Sequence, residues 1–442
     1  MHLPPLLSSK SIRTFCSLAI VLFFTFVAAP AQSVEQEKPS QQEQWSRFRG
    51  PNGSGLSDAS TVPTTFTEAD FNWKTELQGI GHSSPVVWQD HIYLLVADPT
   101  KEGERALVCY SSTDGKKLWS ATDPYQPHHT NKKLNTFASC TPVTAAAGVY
   151  FISSSGEQLS IRALTHDGKP LWKQHLDGYT SDHGSASSPI LVNGVLIVNT
   201  DSKEQRKNHI VGVDADSGKV LWSRERIDPA SEKLPHKTVY STPLVVKVGD
   251  KKSVALVSTH HGWLGLAPQT GKNIWQHKEN YPNRSVGSPV EKDGLLFATL
   301  GASGKGKLSD ALRISANGQV EVLYSLDKTD GLGYVPTPIF VDDLLYLWSD
   351  KGMLTCREAL TGKQIYSEKV GGVYFSSPIA INGHIYCATR DGIMAVIKAG
   401  RSFEVVSRYD FGSDIFATPA VFAGKLIVRS KTQLISIGGS KK

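Results

Sequence analysis

Hydrophobic positions along this chain come in short runs broken by polar turns, and no long stretch sustains a helical period. One stretch shows the grammar. "SPILV" is a run, "NG" (Asn193–Gly194) a break, "VLIVNTD" and "HIVGVDA" two further runs, "DSG" a second break and "KVLWS" a last run. Asn-Gly suits the positive-φ positions of a two-residue hairpin. The pattern therefore predicts four antiparallel strands, A to D, joined in order. A proline opens strand A, where no ladder donor is required.

The same unit recurs. A small residue followed by proline and a hydrophobic strand stands at Pro85, Pro142, Pro189, Pro243, Pro289, Pro338, Pro378 and Pro419, with spacings of 57, 47, 54, 46, 49, 40 and 41 residues. Strand D carries an aromatic after a glycine turn: "YSSTDGKKLW", "ALTHDGKPLW", "VDADSGKVLW", "LAPQTGKNIW" and "REALTGKQIY", ending at Trp119, Trp172, Trp222, Trp275 and Tyr366. "ISANGQVEVLY" and "KAGRSFEVVSRY" read as degenerate copies. Four-stranded units at periods of 40–50 residues predict an all-β fold, an eight-bladed β-propeller of antiparallel blades. The eighth unit lacks a strand D. "FNWKTEL" (Phe71–Leu77), which carries Trp73, precedes the first strand A without a unit of its own. It is expected to complete the last blade and remove an exposed edge. The docking aromatics, Trp73 included, are expected to fill the wedges between blades.

The N-terminus adds a targeting expectation. Lys10 and Arg13 precede a 14-residue apolar run (Thr14–Val27) and an A-x-A-like site at Ala28–Ala31. This reads as a cleaved signal peptide, too short to span a bilayer, with no transmembrane segment left in the mature chain. The expected layout is residues 1–31 signal, 32–70 extension or linker and 71–442 propeller, in a periplasmic or secreted monomer. The formal charge of +6 falls to about +4 without Lys10 and Arg13, and its basic residues are scattered, which argues against nucleic acid. Cys109, Cys140, Cys356 and Cys387 allow two disulfides, or equally four free buried thiols. Cys109–Cys140 and Cys356–Cys387 are the pairings that stacked neighbouring blades permit.

The turn motif resembles the PQQ-like (quinoprotein-type) β-propeller repeat, A-x-D-x-x-T-G-K-x-x-W. Gly218, Lys219 and Trp222 fall on it, with serine in place of threonine at Ser217. Two subgroups carry different implications. Quinoprotein dehydrogenases imply pyrroloquinoline quinone and calcium in the central funnel, closed by a bridge between adjacent cysteines that this chain lacks. Exported BamB-like propellers, of outer-membrane assembly type, imply a non-catalytic scaffold. "WSRFRGPNGSG" (Trp45–Gly55) and "SDHGSASSP" (Ser181–Pro189) resemble phrases shared among exported, uncharacterised relatives.

Loop lengths point to one face. The A–B and C–D connections are tight, whereas D–A and B–C connections are long and open on the same side. Function concentrates on loops held by a rigid scaffold, so the loop-rich face is the binding candidate. The residues three before each strand-A proline are expected to ring the channel mouth, among them His82, Tyr240, Phe375 and Phe416. His183 and His236 lie in D–A loops of the same face. The adjacent pairs His128–His129 and His260–His261 point to opposite sides in extended backbone and do not chelate one metal. With no G-x-S-x-G elbow, paired carboxylates or metal-ligand spacing, no catalytic or metal residue is assigned. The expected function is non-enzymatic binding of a protein or other envelope macromolecule, with no cofactor. The alternative is a PQQ-dependent oxidoreductase using the funnel.

Overall fold

The computed structural model describes residues 44–439, except 99, 100, 102, 128–135, 180, 182, 201–209, 225–238, 259, 260, 279, 280, 282, 283, 303 and 304. Eight four-stranded antiparallel blades follow one another around an axis. The first consists of Val86–Trp88, His91–Ala97, Arg105–Ser111 and Lys117–Thr122. The last consists of Ala420–Phe422, Lys425–Arg429, Gln433–Gly438 and, from the other end of the chain, Phe71–Glu76. Phe71–Glu76 pairs antiparallel with Gln433–Gly438, Trp73 facing Ser436. The orphan strand closes the ring. Helix among the described residues is limited to the 3-10 turns Pro51–Gly53 and Glu68–Asp70.

The A–B turns behave as their sequences require. Asn193–Gly194, Asp293–Gly294 and Asn382–Gly383 all take positive φ at both positions, the type I′ geometry that suits a twisted hairpin. Strands B and C are buried along almost their whole length, whereas strand D alternates, as an outer strand with one wet side does. The core lies in the wedges between blades. One apolar cluster joins Ile379 and Val396 of the seventh blade, Leu426 and Ile435 of the eighth and Ile92 and Leu94 of the first.

The turn motif locks each blade to the one before it. Trp73, Trp119, Trp172 and Trp222 donate their indole N–H to the backbone oxygens of Ser112, His166, Ala215 and Pro268 in the following blade, at 3.2, 2.8, 2.9 and 2.8 Å. The motif glycine lies against that indole. A Cβ at Gly218, where φ is +73°, would sit 2.6 Å from the Trp172 ring. Tyr324 of the degenerate fifth copy takes the same role, donating its hydroxyl to Ala359 O at 2.8 Å. Trp275 is buried, and among the described residues its indole N–H has no hydrogen-bond partner.

The four cysteines are separate buried thiols, which corrects the expected pairings. Cys109 and Cys140 share one apolar cluster, and Cys356 and Cys387 another. Each thiol packs there as a small apolar group. Burial pushes the Cys140 thiol up to about 12 and the Cys356 thiol up to about 11.

Candidate functional site

The small residue before each strand-A proline is always a serine or threonine, and together these build the channel. Proline holds the preceding residue in extended backbone. There each backbone N–H donates to the hydroxyl of the next blade. Ser84 N bonds Thr141 Oγ1 at 3.0 Å, Thr141 N bonds Ser188 Oγ at 3.0 Å, and Ser188 N bonds Thr242 Oγ1 at 3.3 Å. The chain continues through Ser288, Thr337, Ser377 and Thr418 at 2.9–3.0 Å. It closes where Thr418 N bonds Ser84 Oγ at 3.0 Å. Eight hydrogen bonds thus ring the axis.

Inside this ring lies a cavity of about 150 Å³. All eight residues at the third position before proline line it, His82, Tyr240, Phe375 and Phe416 among them, together with Phe48. Phe48 comes from the "WSRFRGPNGSG" stretch, which crosses the tight-turn face of the propeller as a strap. Val87 N of the first blade donates to Trp45 O at 2.9 Å. Arg47 Nη2 donates to Pro243 O of the fourth blade at 2.6 Å. Asn52 makes two bonds to Val245, its amide donating to the carbonyl at 2.8 Å and its side-chain oxygen accepting from the N–H at 3.1 Å. Arg49 Nη2 donates to Pro378 O of the seventh blade at 3.0 Å, and Leu56–Ser57 pairs in parallel with Ile379–Ile381. Thr61 then donates to Gly424 O of the eighth blade at 2.8 Å. The strap closes one end of the channel, so the cavity opens toward the loop-rich face.

The structure gathers three of the sequence candidates into one stack. His82 lies on Phe416 with ring centroids 4.3 Å apart and planes 12° from parallel, and Phe375 meets Phe416 edge-on at 5.8 Å. Arg390, unmarked by any sequence motif, covers both rings, its guanidinium carbon 4.6 Å from the Phe375 centroid and 5.2 Å from that of Phe416. Burial, with Arg429, Arg390 and Lys431 nearby, drives the His82 imidazole down to about 3, so it is neutral. His183 and Tyr240 form a second contact at 5.6 Å, with Ser181 Oγ 3.1 Å from the Tyr240 hydroxyl. His236, His128, His129 and His260 lie outside the described residues. A shallow groove of about 640 Å³ runs between the first two blades, lined by Tyr125, Gln126, Glu157, Gln158 and Asp177. Beside it, Asp123 is clasped by Arg105 at 2.7 Å and Arg162 at 3.0 Å.

Sequence comparison finds the same kinship from another side. Residues 108–311 match the family model described as outer membrane protein assembly factor BamB. That match covers just under half of the chain, and over it the sequence is similar to the PQQ-like β-propeller repeat. No curated protein sequence matches it. Among solved structures, this propeller is similar to a europium-containing methanol dehydrogenase, at 14% identity and a TM-score of 0.66, over 90% of this chain and 91% of that one. BamB from Moraxella catarrhalis is similar at 15% identity and a TM-score of 0.57, over 82% of this chain and 98% of that one. The quinohemoprotein alcohol dehydrogenase from Comamonas testosteroni is similar at 13% identity and a TM-score of 0.63, over 91% and 82%. These likenesses establish the fold.

The channel of this propeller does not suit a tricyclic quinone with calcium. Among the described residues its lining is hydroxyl, aromatic, aliphatic and one histidine, without a carboxylate to neutralise a dication. Asp350, behind the wall, already accepts N–H bonds from Tyr334 at 2.6 Å and Val335 at 3.2 Å. Among the described residues no three His, Cys, Asp or Glu side chains converge on a metal position. A cavity of about 150 Å³ also falls below the roughly 300–1,000 Å³ of cofactor-sized pockets.

Proposed function

We propose that this propeller is an exported, non-catalytic scaffold that binds a protein or another envelope macromolecule through its loop-rich face. The observation that carries the reading is its one-sidedness. The tight-turn face is covered by the protein's own strap. The opposite face presents an arginine seated on a histidine–phenylalanine stack, with Val373 45% exposed beside it. Arginine and aromatic side chains around a depression are the usual composition of interface hot spots. The assembly role named in the matching family model belongs to that protein, and it supports this reading by analogy only. The signal-like N-terminus supports export.

The test is site-directed photocrosslinking in the protein's own envelope. Crosslinkers at Val373 or Arg390 are expected to trap one adduct of defined mass, and crosslinkers at Asn193 and Asn382 on the tight-turn face none. Equal labelling from both faces, or none from either, would reject the reading. Stoichiometric uptake of quinone and calcium by the purified protein would favour an oxidoreductase instead.

A further inference from the structure

Among the described residues, two sets of groups around the channel lack acceptors or counter-charges. The first is the hydroxyl ring. Each ring oxygen accepts a backbone N–H, as described above. Ser188 lies in hydrogen-bond contact with the Cys140 thiol, whereas among the described residues the others, Ser84 and Thr141 for example, enter the bonding pattern only as acceptors of N–H bonds. A hydroxyl that accepts from an amide is polarised to donate more strongly. Among the described residues, most of the hydroxyls around the cavity therefore remain free to donate.

The second set is cationic. Arg47, Arg49 and Arg429 are 7%, 1% and 1% exposed, and none has a carboxylate partner among the described residues. Arg47 and Arg49 flank Phe48 in the strap that floors the channel. Arg429 donates from Nη1 to Ser83 O at 2.6 Å, directly behind the cavity wall, while its Nε and Nη2 have no partner. Burial alone brings Arg47 down to about 9, and burial leads the same fall in Arg49 and Arg429. At the open end stands Arg390, whose Nε is also without a partner. Among the described residues the carboxylates near that rim are Asp391, beside Arg390 on its turn, Asp414, which faces Lys431 at 3.8 Å, and Asp350, held behind the wall by the Tyr334 and Val335 N–H groups. Burying charge without a counterion costs several kcal/mol per ion. An anion held in the channel would lower that cost and supply acceptors for the hydroxyl ring.

We propose that the blind channel is an anion site, which takes one small anionic group, a halide ion or a carboxylate, entering from the loop-rich face past Arg390. The size agrees. A volume of about 150 Å³ corresponds to roughly five waters at about 30 Å³ each, enough for one such group with part of its hydration shell. This inference stands apart from the docking reading, because a free ion needs no partner.

Bromide alone is the first probe. Crystals of the mature protein soaked in sodium bromide are expected to show an anomalous peak inside the channel, between Phe48 and the His82–Phe416 rim. Bromide only at surface lysines, or no peak above noise, overturns the proposal in its halide form. Sodium acetate is the second probe, read by electron density in the same cavity. Acetate without bromide there assigns the site to carboxylates. Only water with both salts rejects it altogether. In solution, millimolar bromide or acetate should raise the unfolding midpoint in proportion to the logarithm of its concentration. Arg390→Gln, a change at a partly exposed position, should weaken the apparent affinity about fivefold. Unchanged affinity in Arg390→Gln would remove that residue from the entry path and overturn the route proposed.

Discussion

A single methyl group can report how tightly the blades are locked. Gly218 and Gly194 both hold positive φ, +73° and +77°, but they differ in surroundings. A Cβ at Gly194 meets nothing within 4 Å, whereas one at Gly218 would enter the Trp172 ring. Alanine at either site incurs the left-handed strain of about 1–2 kcal/mol. Only Gly218→Ala adds overpacking, about 1–3 kcal/mol more. Urea unfolding of the two variants should differ by that margin, and coincident midpoints would mean the indole is not held in place. His82 gives a second residue-scale test. Its folded pKa lies below the ordinary value of 6.5, so the unfolded chain binds the proton more readily. Stability is therefore fully present above about pH 6.5 and declines as pH falls from there toward about 3. His166 is lowered as well, so the comparison must be with His82→Gln. That variant should lose less stability between pH 6.5 and 4 than the parent, and identical pH profiles would reject the assignment.

At the scale of elements, the strap is the part that repetition could not reveal. Each blade was legible because its strands, turns and aromatics recur, and a period survives the loss of one copy's signature. The ring serines and threonines were visible as small residues before proline, but nothing local says that their hydroxyls meet around an axis. Phe48 stands in a stretch with no internal comparison, and Arg390 occupies a B–C turn whose residue changes from blade to blade, so neither the channel floor nor the cation over Phe375 could be read from pattern. The disulfide expectation failed for a related reason. Neighbouring positions in adjacent blades share an apolar wedge, and sharing a wedge does not bring two sulfurs into bonding geometry. A truncation beginning at Thr67 tests the strap. It keeps the closing strand and removes Phe48, Arg47, Arg49 and Asn52. The ring should remain folded with a lower melting midpoint, and the ring amides of Thr242 and Ser377 should exchange with solvent faster once the channel is open at both ends. Unchanged exchange at those amides would show that Phe48 does not seal the floor.

For the whole molecule the decisive question is closure, because a ring held by its first and last strands loses cooperativity when they part. Trp73 donates to Ser112 O and lies against Gly115 of the first blade, while its strand pairs with Gln433–Gly438 of the last. One residue thus links both ends of the chain. It is only partly buried, so Trp73→Ala should cost about 2–3 kcal/mol, less than the 3–5 kcal/mol typical of a fully buried tryptophan. Simple truncation before Gln78 cannot isolate this effect, since it removes the strap together with the strand. A permutant can. In every other blade strand D follows strand C through a short turn, so Phe71–Leu77 can be appended after Gly438 by a turn of the same kind, in a chain that begins at Gln78. This protein has a closed ring and no strap, whereas the truncation has neither. If closure stabilises the ring, the permutant should melt well above the truncation and in a single transition, and the truncation should expose the edge of Gln433–Gly438 and tend to aggregate. Equal midpoints for the two would mean that the eighth blade is held by its inner strands alone and that the terminal strand contributes nothing to the integrity of the propeller.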